Sequence, residues 1–245
     1  PFVEENVVSH NITRRDLLRC IVVTAVAPAA IGCSDDTPTQ PSTPTVRPVT
    51  DGKQFFPQSV ASGDPRPDSV ILWTRITGAT DPVTLALQVS TTDDFKTLVV
   101  DKQALPVSKD HDGTIKVKVT GLSAKTTYYY RFVYEKDGTR YGSQVGRTKT
   151  APAAGDDTPV SFVVASCQDY VGRYYNSWAH LVASKAEVDF VLFIGDYVYE
   201  TTGDPGFQKT APDRAVKFAE PADAIDLGDY QAAKSVGNYR DLYKT

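Results

Sequence analysis

The chain has 245 residues, of which 41% are hydrophobic, 10% aromatic and 23% charged, which is enough apolar material for one large core or two modest ones and excludes disorder throughout. Its formal charge of −4 provides no broad cationic surface, so binding to a nucleic-acid duplex is not expected, although a nucleotide could still be a small substrate. The three cysteines, Cys20, Cys33 and Cys167, stand in unrelated contexts and make no disulfide framework.

There is no methionine and the sequence opens on Pro1, so it reads as a piece of a longer polypeptide. In residues 13–19 the pair Arg14 and Arg15 directly precedes an apolar run at 21–32 that is too short to span a bilayer. A basic pair before such a run is the pattern of a cleavable twin-arginine export signal; the competing reading is an amphipathic or buried helix of a globular domain. Ala30-Ile31-Gly32-Cys33 resembles a lipoprotein processing site, except that leucine is more usual where Ala30 stands. Cys33 is thus a lipidation candidate, with a free thiol in an ordinary signal as the alternative; acyl chains on it would bury many methylenes in a bilayer. Residues 1–33 read as the signal, and the Pro-, Thr- and Asp-rich stretch 34–54 as an extended linker unable to offset the entropy of ordering. The expected partners here are the twin-arginine export machinery and a membrane surface, and the expected location is extracytoplasmic, periplasmic or on the cell surface.

Residues 55–151 alternate short β-prone runs with turn clusters. The runs 69–73, 83–89, 98–100 and 114–119 have the spacing of an antiparallel sandwich. Ile115, Val117 and Val119 alternate with Lys116 and Lys118, which marks a half-buried strand. Leu122 and, six positions on, Tyr128 resemble the tyrosine corner of fibronectin type III domains, in which the hydroxyl bonds back to nearby backbone. Tyr128, Tyr130, Phe132 and Tyr134 share one face, which points to core packing, with a carbohydrate- or base-stacking platform as the alternative. Asp137-Gly138 marks the hairpin turn that follows.

The block at 159–245 changes character. Residues 162–165 form a continuous apolar run of the kind covered on both faces; 174–184, with Trp178, Leu181 and Val182, has helical spacing; and 188–194 is a second apolar run ending in Gly195-Asp196. Such a βαβ unit carries Cys167 and Asp196 to the carboxyl ends of two parallel strands, where open α/β sheets bind ligands. Taken alone, Cys167 could be a small buried hydrophobe, Asp196 a cap and Tyr199 a packed aromatic. Trp178 reads as helix packing and His180 as a surface or neighbouring residue.

Three segments together resemble the PhoD-like phosphatases of the metallophosphoesterase superfamily: 60–65 leading to 71–75, then Ala165-Ser166-Cys167-Gln168, and Gly195-Asp196-Tyr197-Val198-Tyr199-Glu200. The resemblance covers 56–245. It implies a fibronectin-like sandwich followed by the first, truncated part of an αββα-type catalytic domain, and metal-assisted hydrolysis of phosphate monoesters or diesters. It further implies ferric iron (Fe3+) held by Cys167 and Tyr199 and shared with calcium (Ca2+) through Asp196, the residue assigned to catalysis. Such donors suit those ions, since a carboxylate can bridge two cations and a phenolate binds a trivalent one strongly. Most dinuclear phosphoesterases carry Asp-x-His where this chain has Ser166-Cys167-Gln168, which argues against an ordinary two-zinc or two-manganese site. No histidine follows His180, so further ligands are expected beyond Thr245 and little activity from these residues alone. Two rival readings are a non-enzymatic surface lipoprotein whose sandwich binds a partner, and an exported redox or haem-type iron protein, which would lack its CxxCH motif or CxxC pair.

Overall fold

In the computed structural model the described residues are 47–79 and 81–245. Arg14, Arg15, Cys33 and most of the expected linker lie outside them. The β-prone runs build two sheets. The first consists of β1 (Thr50–Asp51), β4 (Val83–Ser90), β5 (Val100–Val107), β7 (Thr127–Lys136), β8 (Thr139–Gly142) and β9 (Gly146–Lys149), in the order β1-β8-β7-β4-β5 with β9 also on β7; the second is β2 (Val60–Gly63), β3 (Ser69–Arg75) and β6 (Thr114–Thr120), in the order β2-β3-β6. One core lies between them. Leu72 and Val70 pair with Val117 and Val119 in the smaller sheet, and Leu85, Leu87 and Val89 pair with Tyr134, Phe132 and Tyr130 in the larger. All ten side chains join a single buried cluster.

The aromatic row is therefore core and not a stacking platform: Tyr128, Tyr130, Phe132 and Tyr134 are 4%, 2%, 0% and 6% exposed. The Tyr128 hydroxyl accepts from the Ser123 N–H at 2.9 Å, beside buried Leu122, as a tyrosine corner requires. Asp137 and Gly138 take φ of 50° and 74°, the left-handed pair of a tight hairpin turn between Lys136 and Thr139.

Two elements differ from expectation. The end of the 34–54 stretch is part of the sheet: Thr50 and Asp51 run parallel to Tyr141 and Gly142, and the Gly52 N–H donates to the Gly142 carbonyl. A Cβ on Gly52 would lie 2.7 Å from that carbonyl oxygen, so only glycine allows this approach. The expected strand at 98–100 is instead β5, which begins at Val100 and runs to Val107. It is an edge strand, mostly exposed, with a register break opposite Leu85 and Leu87 and Ala104 at φ 55°. A bulge of this kind leaves no alternation to read and blunts an edge.

Beyond the sandwich, β10 (Phe162–Ala165), α1 (Asn176–Ser184) and β11 (Phe190–Phe193) form a parallel βαβ unit, with Phe162 opposite Phe190 and Ala165 opposite Phe193. The expectation that these strands are covered on both faces fails here: Phe162, Val164, Val191 and Leu192 are 50%, 54%, 44% and 47% exposed. Two strands and one nine-residue helix with no buried residue cannot cover a parallel sheet. The hairpin β12 (Ile225–Asp226) and β13 (Gln231–Ala232) precedes α2 (Val236–Lys244). Ser235 caps α2 by accepting from the Asn238 N–H at 3.2 Å, while buried Asn238 accepts from the Ser235 N–H at 3.1 Å. Leu242 on α2 joins Val171, Val216, Phe218 and Ala233 in a second buried cluster.

Asp189 ties this unit to the sandwich. Its carboxylate accepts from the Lys149 ammonium on β9 and from the Ser161 N–H at 2.9 Å. The Lys149 hydrogen bond first, then that N–H, holds the carboxyl below its ordinary range. Folded-state depression means that the stabilisation is complete above the unfolded value of about 4 and is lost as pH falls through the lower folded value. Asp189→Asn is accordingly expected to cost about 1–2 kcal/mol at neutral pH, with the gap in melting temperature from wild type closing as melts are repeated toward about pH 3. A gap independent of pH would contradict this.

Candidate functional site

In-register parallel pairing brings both strands to the same end at Ala165 and Phe193. The ladder then continues through the loops: Ile194 N–H donates to Ala165 at 2.9 Å, Cys167 N–H to Gly195 at 3.1 Å and Gln168 N–H to Asp196 at 2.8 Å. These bonds hold Cys167 and Asp196 at φ of 59° and 54°, a left-handed conformation costly for residues with a Cβ. Strain of this kind persists only where the surroundings over-determine it, and it gathers at functional sites.

The side chains of the three residues singled out from sequence meet. Cys167 Sγ and Tyr199 Oη each lie 3.5 Å from Asp196 Oδ2. Ser166 Oγ stands 3.3 Å from the same sulfur. Cys167 and Asp196 are exposed and Tyr199 is half-buried. The Tyr199 phenol is pushed up to about 12, first by the neighbouring Cys167 side chain, then by desolvation and by the nearby Asp196 and Asp169. A phenol so placed stays protonated at neutral pH unless a bound cation ionises it.

Among the described residues no group of three or more His, Cys, Asp and Glu side chains is arranged to hold a metal; the trio pairs one thiol and one carboxylate with a phenol. One sulfur and two kinds of oxygen donor converging on an exposed point nevertheless fit a metal ion, and their mixture suits an ion that accepts both thiolate and phenolate. His180 is exposed on α1 and takes no part in the trio.

The surrounding residues were less legible. Trp178, read as helix packing, donates its indole N–H to Gln168 Oε1 at 3.1 Å, so α1 steadies the residue after Cys167. A half-buried indole needs such a partner, which was the one available signal. Asp169 and Gln208, 6% and 4% exposed, had none.

Residues 42–152 match the PhoD-like phosphatase N-terminal domain, and residues 162–245 match the PhoD-like phosphatase family. Together these matches span most of the chain, and the chain belongs to the PhoD-like phosphatase family. It is 36% identical to alkaline phosphatase D of Bacillus subtilis (strain 168) over 188 residues, 72% of this chain and 30% of that protein. The solved structure of PhoD is similar in fold, with a TM-score of 0.63 and 29% identity over 81% of this chain and 36% of that one. The chain thus spans only 30% and 36% of the length of these two relatives. A fibronectin type III domain from a human protein reaches a TM-score of 0.30 at 13% identity, over 41% of this chain and 76% of that one, too weak a likeness to assign the sandwich to that family.

Proposed function

We propose that this protein is a metal-dependent phosphoesterase acting on phosphate monoesters, diesters or both, with Cys167, Asp196 and Tyr199 as donors to its metal centre. The observation that carries the reading is their meeting at the shared end of two parallel strands, in a chain of the PhoD-like phosphatase family. The thiol and phenol suit ferric iron, and the carboxylate of Asp196, with two oxygens, suits a bridge from iron to calcium. Bound there, the ions would offset the charge that builds on phosphoryl oxygens during in-line displacement. The chain's own part is to present these donors together, Cys167 and Asp196 exposed on backbone held by the strand-end ladder and Tyr199 half-buried beside them.

On this reading β10–α1–β11 belongs to an αββα-type catalytic domain and the sandwich is a structural module. Calcium alone takes about six to eight oxygen ligands, so residues 1–245 by themselves would hold metal poorly and turn over little substrate. Export through Arg14 and Arg15, and a lipid anchor on Cys33, would place the enzyme outside the cytoplasm. The rival reading, a non-catalytic binding module, makes the trio packing residues, which the exposure of Cys167 and Asp196 does not favour.

The test is metal analysis of the full-length gene product together with hydrolysis of p-nitrophenyl phosphate and bis(p-nitrophenyl) phosphate before and after chelation. Iron and calcium with chelator-sensitive turnover on at least one ester is the expected result. Absence of turnover on both, or turnover indifferent to complete metal removal, would overturn the proposal.

A further inference from the structure

A buried polar junction lies between the loop that follows Cys167 and the loop that follows Tyr199. At its centre is Gln208, 4% exposed. Its Nε2 donates to Asp169 Oδ1 at 2.9 Å, and its Oε1 accepts from the Thr201 hydroxyl at 2.6 Å and the Asp204 N–H at 2.9 Å. Asp169 Oδ1 also accepts from the Gly172 N–H at 3.0 Å. Asp169 stands two positions after Cys167, and Thr201 two positions after Tyr199. One amide side chain thereby joins the two donor-bearing loops.

Packing around it is tight. A Cβ on Gly172 would lie 2.3 Å from Asp169 Oδ2 and 2.8 Å from Gln208 Cγ, so the loop closes on the junction with no room for a side chain. Phe207, the neighbour of Gln208, faces the Tyr199 ring with centroids 6.2 Å apart, and its carbonyl accepts from Arg173 at 3.0 Å. The backbone bonds that fix Cys167 against Asp196 end at Gln168 and Asp196. Tyr199 lies beyond their reach. The backbone beside it is tied to the end of β13, where the Ala233 N–H donates to the Glu200 carbonyl at 2.7 Å, and the Gln208 amide ties the same loop to the one that carries Cys167. A buried polar network is costly unless fully satisfied, and when satisfied it fixes one geometry. An apolar side chain could fill the space but could not set the spacing between the loops.

We infer that Gln208 is a positioning residue that sets the separation of Tyr199 from Cys167 through Asp169 and Thr201. The inference rests on the trio being metal donors, as proposed above. It is tested on the full-length gene product by iron content, by the visible charge-transfer band expected of thiolate and phenolate on ferric iron, and by thermal melting. Gln208→Leu and Asp169→Ala are expected to lose about 10- to 100-fold in iron affinity, as loss of groups that orient metal ligands does, and to shift or bleach the band. Thr201→Val, which deletes a single hydrogen bond, should shift the band with its melting close to wild type. Asp169→Asn keeps an oxygen for Gln208 and Gly172 and should retain the wild-type band that Asp169→Ala loses. Should Gln208→Leu fail to fold, Thr201→Val and the Asp169 pair decide. Wild-type iron content and an unshifted band in every folded variant would overturn the role of Gln208 while leaving the metal reading intact. A wild-type protein without iron would overturn the metal reading, and this inference with it.

Discussion

Asp196→Asn in the full-length gene product is expected to empty the metal centre and lower phosphoester turnover by about 1,000-fold or more, several kcal/mol of lost charge stabilisation. Asp196 Oδ2 is the point that both Cys167 Sγ and Tyr199 Oη approach to 3.5 Å, so its charge is central to the trio. Asparagine keeps the shape and the left-handed backbone, which it tolerates well, and removes only the charge. A neutral amide has one strong donor oxygen and cannot act as an anionic bridge between two cations. Cys167→Ala should act differently, removing the sulfur that favours iron while leaving Asp196 free to bind calcium through oxygen. The measurements are iron and calcium per chain, diester hydrolysis, and circular dichroism as a check on folding. Equal metal content and equal rates in wild type and both variants would favour a non-catalytic binding protein.

The end of the strands where this chemistry gathers was legible because two uninterrupted apolar runs flank a helical one, and such a unit folds in only one way, with parallel strands ending together. That logic reaches Cys167 and Asp196. Tyr199 does not follow from it; the phenol came from the family resemblance, since an aromatic residue after a strand has no periodicity to mark it. The sandwich was legible where alternation is strong, as in Ile115, Val117 and Val119, and where turn chemistry is specific, as at Asp137-Gly138. It failed at β5, whose polar, bulged edge faces water, and at β1, where a Thr-Asp pair is recruited by the backbone of β8 with no hydrophobic signal. Gln208 and Asp169 show the deeper limit. Burial of a polar side chain depends on partners distant in sequence, here each other, 39 positions apart, and local composition carries no trace of that.

Phe132→Ala is expected to destabilise the sandwich by about 3–5 kcal/mol, the cost of a large cavity in a packed core, and to lower its melting temperature by roughly 12–40 °C. Phe132 is 0% exposed, sits opposite Leu87, and lies on β7, which pairs with β4, β8 and β9. The strands around it cannot collapse into the void without breaking ladder bonds. Phe132→Leu should cost much less, since most of the volume is kept. Had the aromatic row been a ligand platform, truncation would have altered binding and left stability unchanged. The metal content of folded Phe132→Ala, measured well below its melt, is expected to match wild type, because Cys167 and Asp196 are held by the strand-end ladder of β10 and β11 and Tyr199 by the loop beyond it, and none of the three belongs to the sandwich core. Loss of metal from the folded variant would show that the sandwich helps to shape the site, and would make it more than a structural module.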